Sequence, residues 1–352
     1  MKKTLCLCAL VVGMLTTSFA QQQQTAEQQF KNIQIFKGLP ATQLEPAMAF
    51  ISGSLGVQCS YCHVPNSFGK DDKPTKLTAR RMIQMVFDLN KGSFKGQRAV
   101  SCFTCHRGKP TPVSVPAVGQ NLWAPSPTST PAAPLPSVKQ ILDRYVQALG
   151  GAKALTKVTT RSAKGSRIGA DGVLVPEVIH QKAPDKILTV TSYPNVVFSN
   201  GFNGTVGWAH SSREGATPLP EQLLVQLKRD AVFYRELKTE ELYTSLTVLG
   251  RASVRDADAY VIQATPVDGP VEKLFFDVGT GLLVRRYTET DTPLGKLPLQ
   301  LDYENYRAVD GIKQPFLIHW SMPGRIWGRK VDEIKQNVPL DDAKFNPITT
   351  RP

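Results

Sequence analysis

Two copies of one five-residue pattern, Cys59-Ser60-Tyr61-Cys62-His63 and Cys102-Phe103-Thr104-Cys105-His106, constrain this chain more than anything else in it. Cysteines three apart lie on one face of a helical turn, because 3.6 residues complete the turn. Both thiols can then reach the two vinyl groups of one haem and close as thioethers. The histidine that follows stands where its imidazole can meet the iron. The C-x-x-C-H pattern is a signature of c-type haem attachment, and histidine is the usual proximal ligand. The pattern predicts two covalently bound haem c groups. The first is held by Cys59 and Cys62 with His63 on its iron, the second by Cys102 and Cys105 with His106.

Cysteine usage elsewhere agrees. The chain has six cysteines, and Cys6 and Cys8 fall in MKKTLCLCALVVGMLTTSFA. There, Lys2 and Lys3 precede a short apolar run that ends in Ser18-Phe19-Ala20, the layout of a secretory signal peptide over residues 1–20. No later stretch reaches the ~18 apolar residues of a membrane span. The expectation is an exported, periplasmic chain, with association to a membrane through a partner left open. All four remaining cysteines belong to the two motifs. Two disulfides would also suit an exported protein, but disulfides ask for no histidine behind each pair. A four-cysteine zinc site would have to span 39 residues between Cys62 and Cys102, beyond the roughly 15–20 common for that pattern, with two histidines to spare. A thioredoxin-type dithiol needs a βαβ setting that the segment lacks.

The chain divides by composition. Residues 21–29, QQQQTAEQQ, read as a disordered polar lead. Residues 30–110 hold both motifs. Residues 111–136 are rich in proline and read as an extended linker, since proline supports neither helix interiors nor strand ladders. From 137 the pattern begins as a helix, with Ser137 as N-cap and Ile141, Leu142, Tyr145, Val146 and Leu149 on one stripe. It then changes to period two in KILTVTSY (186–193), DAYVIQATP (258–266) and KLFFDV (273–278), punctuated by Asp171-Gly172, Asn203-Gly204 and Asp310-Gly311. Residues 220–237 read as a helical interruption. The expected fold class is α+β in two domains. The first is a mainly α dihaem cytochrome c domain over 30–110. The second, over 137–352, is a mainly antiparallel, curved open sheet with helices across it, similar to the lipoprotein-carrier class of periplasmic folds. His180, His210 and His319 read as structural or surface residues, and Trp208, Trp320 and Trp327 as sheet packing. No Ser/His/Asp set, phosphate loop or paired carboxylate is visible in this half.

Charge points the same way. The formal net charge is +13, and residues 21–110 carry twelve Lys/Arg against five Asp/Glu. An exported chain seldom meets nucleic acid, so the basic balance is assigned to haem propionates and to an acidic redox partner.

The far side of each iron decides between transfer and catalysis. Methionine there closes the iron and suits electron transfer, whereas an open position suits ligand binding or peroxide chemistry. Met48 falls on a helical repeat with Leu44, Ile51 and Leu55, entered at Thr42-Gln43-Leu44-Glu45 and stopped at Gly56. Met82 and Met85 share a face with Val86 and Leu89 in TARRMIQMVFDLN. Met48 and Met82 are the preferred ligands and Met85 the preferred packing residue, with exchange of Met82 for Met85 left open. No histidine beyond the two motif histidines exists in this stretch to take their place.

The segment KNIQIFKGLPATQLEPAMAFISGSLGVQCSYCH, with ARRMIQM and VSCFTCHRGK after it, resembles the photosynthetic reaction-centre cytochrome c subunit family over about residues 30–110. That family repeats a methionine-bearing helix, a turn and a CxxCH helix. The resemblance implies Met48 opposite His63 and Met82 opposite His106. It also implies a redox donor and acceptor as partners, a membrane-bound complex among them. The family subunit carries four haems and this chain has motifs for two. NKGSFKGQRAVS lacks the histidine that caps a further haem in the family, and the chain beyond 111 has no counterpart there. The leading expectation is an exported dihaem cytochrome for single-electron transfer, an electron carrier and not an enzyme. The alternatives are a carrier or docking protein that takes a hydrophobic ligand or partner on the C-terminal sheet, and a haem peroxidase-like enzyme.

Overall fold

The computed structural model describes residues 24–112, 134–217, 219 and 221–348. The predicted leader, and the linker between 113 and 133, lie outside the described residues.

The first half is helical: α1 (Ala26–Gln29), α2 (Leu44–Leu55), α3 (Pro74–Gly92) and α4 (Cys102–His106). Residues 24–29, read from sequence as part of a disordered lead, are structured. Ala26 N–H donates to the Leu39 carbonyl at 2.7 Å, Ala41 N–H to that of Gln24 at 2.8 Å, and Ala26 is fully buried. The Glu27 carboxylate accepts from Gly38 N–H at 2.9 and 3.1 Å, a bond that holds its pKa below the ordinary value.

α2 ends as expected at Gly56, whose φ of +65° is the left-handed cap that glycine adopts without a Cβ penalty. Its entry and its face differ from expectation. A 3₁₀ turn over Ala41–Gln43 leads in, with no side-chain cap. The buried residues are Ala47, Phe50, Ile51 and Ser54, while Met48 is half-buried. The reason is packing from a second direction: Phe50 and Ile51 share a cluster with Leu294 and Leu297 of the sheet, so the buried stripe turns toward them. α3 carries two apolar faces. Ile83 and Val86 are buried, whereas Met82, Met85 and Leu89 are exposed together. Val86 thus parts from the methionines with which the sequence reading grouped it.

The second half begins with α5 (Val138–Leu149) and α6 (Ala152–Leu155). Ser137 caps α5 by accepting from Gln140 N–H at 3.2 Å, and the Gln140 side chain accepts in return from Ser137 N–H at 2.8 Å. Among the described residues thirteen strands follow: β1 (Thr160–Ile168), β2 (Leu174–Lys182), β3 (Lys186–Tyr193), β4 (Val196–Asn203), β5 (Gly207–Ser211), β6 (Gly215–Thr217), β7 (Tyr243–Val254), β8 (Ala257–Pro266), β9 (Glu272–Asp277), β10 (Leu283–Thr292), β11 (Gly295–Val309), β12 (Ile312–Met322) and β13 (Arg325–Gln336). Between β6 and β7 lie α7 (Glu221–Ala231) and α8 (Thr239–Leu242). The pairing is antiparallel throughout, in the order β6-β5-β4-β3-β2-β1-β13-β12-β11-β10-β9-β8-β7. The chain therefore winds as two meanders joined where β1 meets β13.

This sheet must curl. α7 packs near β4 and β5, yet its Arg229 reaches Glu272 of β9 at 2.8 Å. Eight strand steps of ~4.8 Å separate β4 from β9 in a flat sheet, about 38 Å. Eleven helical residues span only about 16 Å. One short helix can touch both only if the sheet bends around it. α5 lies on the same apolar face, with Ile141, Tyr145 and Leu149 packed on Ile262, Leu274 and Phe276. The architecture is the α+β arrangement expected, a helical N-terminal region and a large open antiparallel sheet with helices across it. Trp208 is buried, with its indole N–H donating to the Phe345 carbonyl at 2.8 Å. Trp320 and Trp327 stack on each other at 6.4 Å.

Candidate functional site

The first Cys-His motif forms a 3₁₀ turn, Cys59–Tyr61, just past α2. It is held from outside. Thr75 Oγ1 donates to the Tyr61 carbonyl at 2.6 Å, and Lys73 Nζ donates to that of Ser60. His63 Nδ1 lies 3.0 Å from the Phe68 carbonyl oxygen. A carbonyl can only accept, so Nδ1 carries the proton and Nε2 keeps its lone pair for a metal. Burial also pushes the His63 pKa down, aided by the nearby cations of Lys76, Arg80 and Lys73 and opposed by the Phe68 bond. Burial thus favours the neutral imidazole, the form that ligates.

The loop after the motif is tied by a small ionic group that sequence reading missed. Lys76 is buried on α3, and its Nζ donates to the Phe68 carbonyl at 2.8 Å and to that of Lys70 at 2.7 Å. It also forms an ion pair with Asp71 at 3.0 Å, and Arg80 pairs with the same carboxylate at 2.8 Å. Arg80 first, then Asn32 and Lys76, hold the Asp71 carboxyl well below the usual carboxylate range. A charged residue in a helix, four positions from a second charge, carries no sequence mark that it will be buried.

The second motif is a short helix, α4, entered through Ser101 and closed by Arg107 and Gly108 in left-handed backbone. Its His106 repeats the arrangement, with Nδ1 at 3.0 Å from the Lys109 carbonyl. Asn90, buried near the end of α3, holds the approach to this helix. Its Nδ2 donates to the Val100 carbonyl at 2.8 Å, and its Oδ1 accepts from Ala99 and Val100 N–H, both at 3.0 Å. α2 and α4 are packed together, and Cys102 shares a cluster with Ala47, Phe50, Ile51 and Ile83, with Met48 against its edge. Burial raises the pKa of the Cys102 thiol, and that of Cys62 likewise.

These residues fit haem c. All four thiols are free, and each pair has an imidazole with its outer nitrogen available. Among the described residues, no group of three or more His, Cys, Asp or Glu is spaced to hold a bare metal ion. The surface around the motifs has the character of an uncovered core: Tyr61, Phe68, Phe103, Met82, Met85 and Leu89 are all exposed. Apolar side chains gathered this densely on a small helical unit suit the faces of a macrocycle. Met82 and Met85 stand together on the open face of α3, and Met48 is half-buried on α2.

This unit rests against the sheet. Arg98 Nη1 donates to the Thr292 carbonyl at 2.6 Å, and Phe50 packs on the β10–β11 turn with Leu294 and Leu297. The approach is close: a Cβ on Gly295 would stand 2.8 Å from the Phe50 ring. One on Gly53 would stand 2.1 Å from Pro323 in the β12–β13 turn. The histidines of the sheet are far from this chemistry in role. His319 Nδ1 meets Glu304 at 3.1 Å, and His210 is buried.

Residues 9–140 match the family model described as photosynthetic reaction centre cytochrome C subunit. The photosynthetic reaction center cytochrome c subunit of Thermochromatium tepidum is 33% identical over 91 residues, 25% of this chain and 22% of that protein. Cytochrome c-554 of Chloroflexus aurantiacus is 37% identical over 86 residues, 22% of this chain and 20% of that protein. The chain thus spans about a fifth of the length of these relatives. Among solved structures it is similar to a LolA superfamily protein from Nitrosomonas europaea, at 16% identity, a TM-score of 0.39 and coverage of 60% of this chain and 98% of that one. A DUF1329 family protein from Desulfovibrio piger gives 14% identity and a TM-score of 0.43, covering 59% and 97%.

Proposed function

We propose, from the match of residues 9–140 to the photosynthetic reaction centre cytochrome C subunit family model, that this chain is an exported dihaem electron carrier with both irons closed by histidine and methionine. The unit that works is residues 30–110, and the sheet of 137–352 is the body that carries it. One observation supports the reading above others: each Cys-x-x-Cys pair is followed by an imidazole whose Nδ1–H is spent on a backbone carbonyl, so Nε2 alone remains to ligate.

Haem c bound at these positions would supply a one-electron iron couple. The chain's own residues do the rest. Cys59 and Cys62, and Cys102 and Cys105, would anchor the two groups covalently. His63 and His106 would supply the imidazole ligand of each iron, and Met48 and Met82 the thioether ligand. Thioether sulfur on the far side leaves no open position for peroxide or other small ligands, which is what separates a carrier from a peroxidase. Backbone carbonyls fix both imidazole planes, so little reorganisation accompanies a change of charge. The basic balance of the unit suits an acidic redox partner, with a membrane-bound complex as its setting, and the periplasm is the compartment of the reading.

The test is spectroscopic. The full chain, exported from a host competent in cytochrome c maturation, is compared with Met48→Ala and Met82→Ala. Each variant is expected to lose one sulfur-ligand band and to gain binding of an external ligand at one haem. If neither changes, or the wild type itself binds external ligands readily, the His/Met assignment fails.

A further inference from the structure

Two histidines in like motifs are treated differently by their surroundings. The Phe68 carbonyl that accepts the His63 Nδ1–H at 3.0 Å also accepts from the Lys76 ammonium at 2.8 Å. Lys76 is locked there, being buried and also bound to the Lys70 carbonyl and paired with Asp71. At the second motif, the Lys109 carbonyl accepts from His106 Nδ1 at 3.0 Å. Among the described residues no second donor reaches that oxygen.

We propose that Lys76 is a positioning residue that acts through the Phe68 carbonyl and His63 to make the first haem site the higher-potential one. The proposal rests on the dihaem reading above. Two effects act in the same direction. A cation that draws on a carbonyl's lone pairs makes it a poorer acceptor for the imidazole N–H, so the ring donates less electron density to iron. The buried charge also opposes the more positive, oxidised state directly. The groups facing His63 are the cations Lys73, Lys76 and Arg80, with Asp71 the one carboxylate bonded to two of them. The balance there is positive. The consequence is a direction for transfer within the chain. One electron leaves the iron held by His106, which passes from ferrous to ferric. The iron held by His63 gains that electron and passes from ferric to ferrous, with no proton moved.

The test uses the full chain with both haems in place, confirmed by mass. Redox titration with the two haems resolved by paramagnetic NMR is run on wild type, Lys76→Met, Lys76→Gln and Lys76→Arg. In wild type the His63 site is expected to reduce first. Lys76→Met should shift the electron-sharing equilibrium about tenfold toward the His106 site, and Lys76→Gln in the same direction by less, with the His106 midpoint unmoved in both, and Lys76→Arg should keep the wild-type balance. Lys76→Gln keeps a donor for the Phe68 carbonyl, so it serves if the methionine variant fails to fold. A wild type in which the His106 site reduces first, or variants that leave both midpoints in place or move both equally, would overturn the proposal. A wild type with no haem at the first motif would instead overturn the dihaem reading.

Discussion

Gly56 and Gly108 meet backbone to backbone: a Cβ on Gly56 would stand 2.2 Å from the Gly108 carbonyl oxygen. Gly108 N–H donates to the Ser54 carbonyl at 2.9 Å from the other side of the same contact. The end of the methionine-bearing helix and the end of the second Cys-His motif are thereby one joint. Gly56→Ala adds a side chain at φ +65° and drives it into backbone that cannot yield. A loss of at least about 2 kcal/mol is expected, read as a lower urea midpoint at unchanged slope, with both haem spectra perturbed. An unchanged midpoint would show that the joint opens freely.

Asn90 makes three bonds to the segment that leads into the second motif. Asn90→Ala leaves two N–H groups and a carbonyl without their side-chain partner in a half-buried place, which costs about 1–2 kcal/mol once water takes up part of the loss. The damage should be local. Near-ultraviolet and haem signals from the Cys102 motif should broaden while those from the Cys59 motif hold. Equal broadening at both would mean that Asn90 supports the whole unit and not one motif.

Much of this arrangement was legible in the residues before the structure. The paired motifs located the candidate site because cysteine and histidine at that spacing have few other uses. The strand at KILTVTSY matches β3 to the residue, since alternation and flanking turns agree there. The face of α2 was misjudged because a helix with apolar residues on several sides does not say which will meet the sheet, and Phe50 did so. Lys76 was invisible because its burial depends on three oxygens brought together from Phe68, Lys70 and Asp71. Those distances come only from folding. The contact between the helical unit and the β10–β11 turn was likewise hidden, because a proline-rich linker suggests two bodies apart.

That contact is itself testable. Phe50 is buried in one cluster with Leu294 and Leu297, so Phe50→Ala should cost about 3–5 kcal/mol. The variant should also become cleavable by protease between the two halves, with the sheet fragment surviving. If the halves stay protease-resistant together, Arg98 and the Pro323 turn hold the contact without the phenylalanine.

Acid should loosen the loop after the first motif. The Asp71 carboxyl is held below its ordinary value by Arg80 and by Asn32 and Lys76. A group with a depressed folded pKa stabilises above its unfolded value and stops doing so as pH falls through the folded one. The contribution is therefore complete near neutrality and fades only on acidification below the ordinary aspartate range. Hydrogen exchange over residues 64–73 should quicken in that range for wild type and be quick already at neutral pH in Asp71→Asn. A variant as slow as wild type at neutral pH would remove Asp71 from the account.

Everything said of transfer depends on two covalent haems. Intact mass of the mature exported protein, with iron counted in the same sample, tests that directly. The account predicts the polypeptide plus two haem c groups and two irons per chain, falling by one of each in Cys59→Ala/Cys62→Ala and by one in Cys102→Ala/Cys105→Ala. A wild-type mass equal to that of the bare polypeptide, or zinc in place of iron, would contradict it.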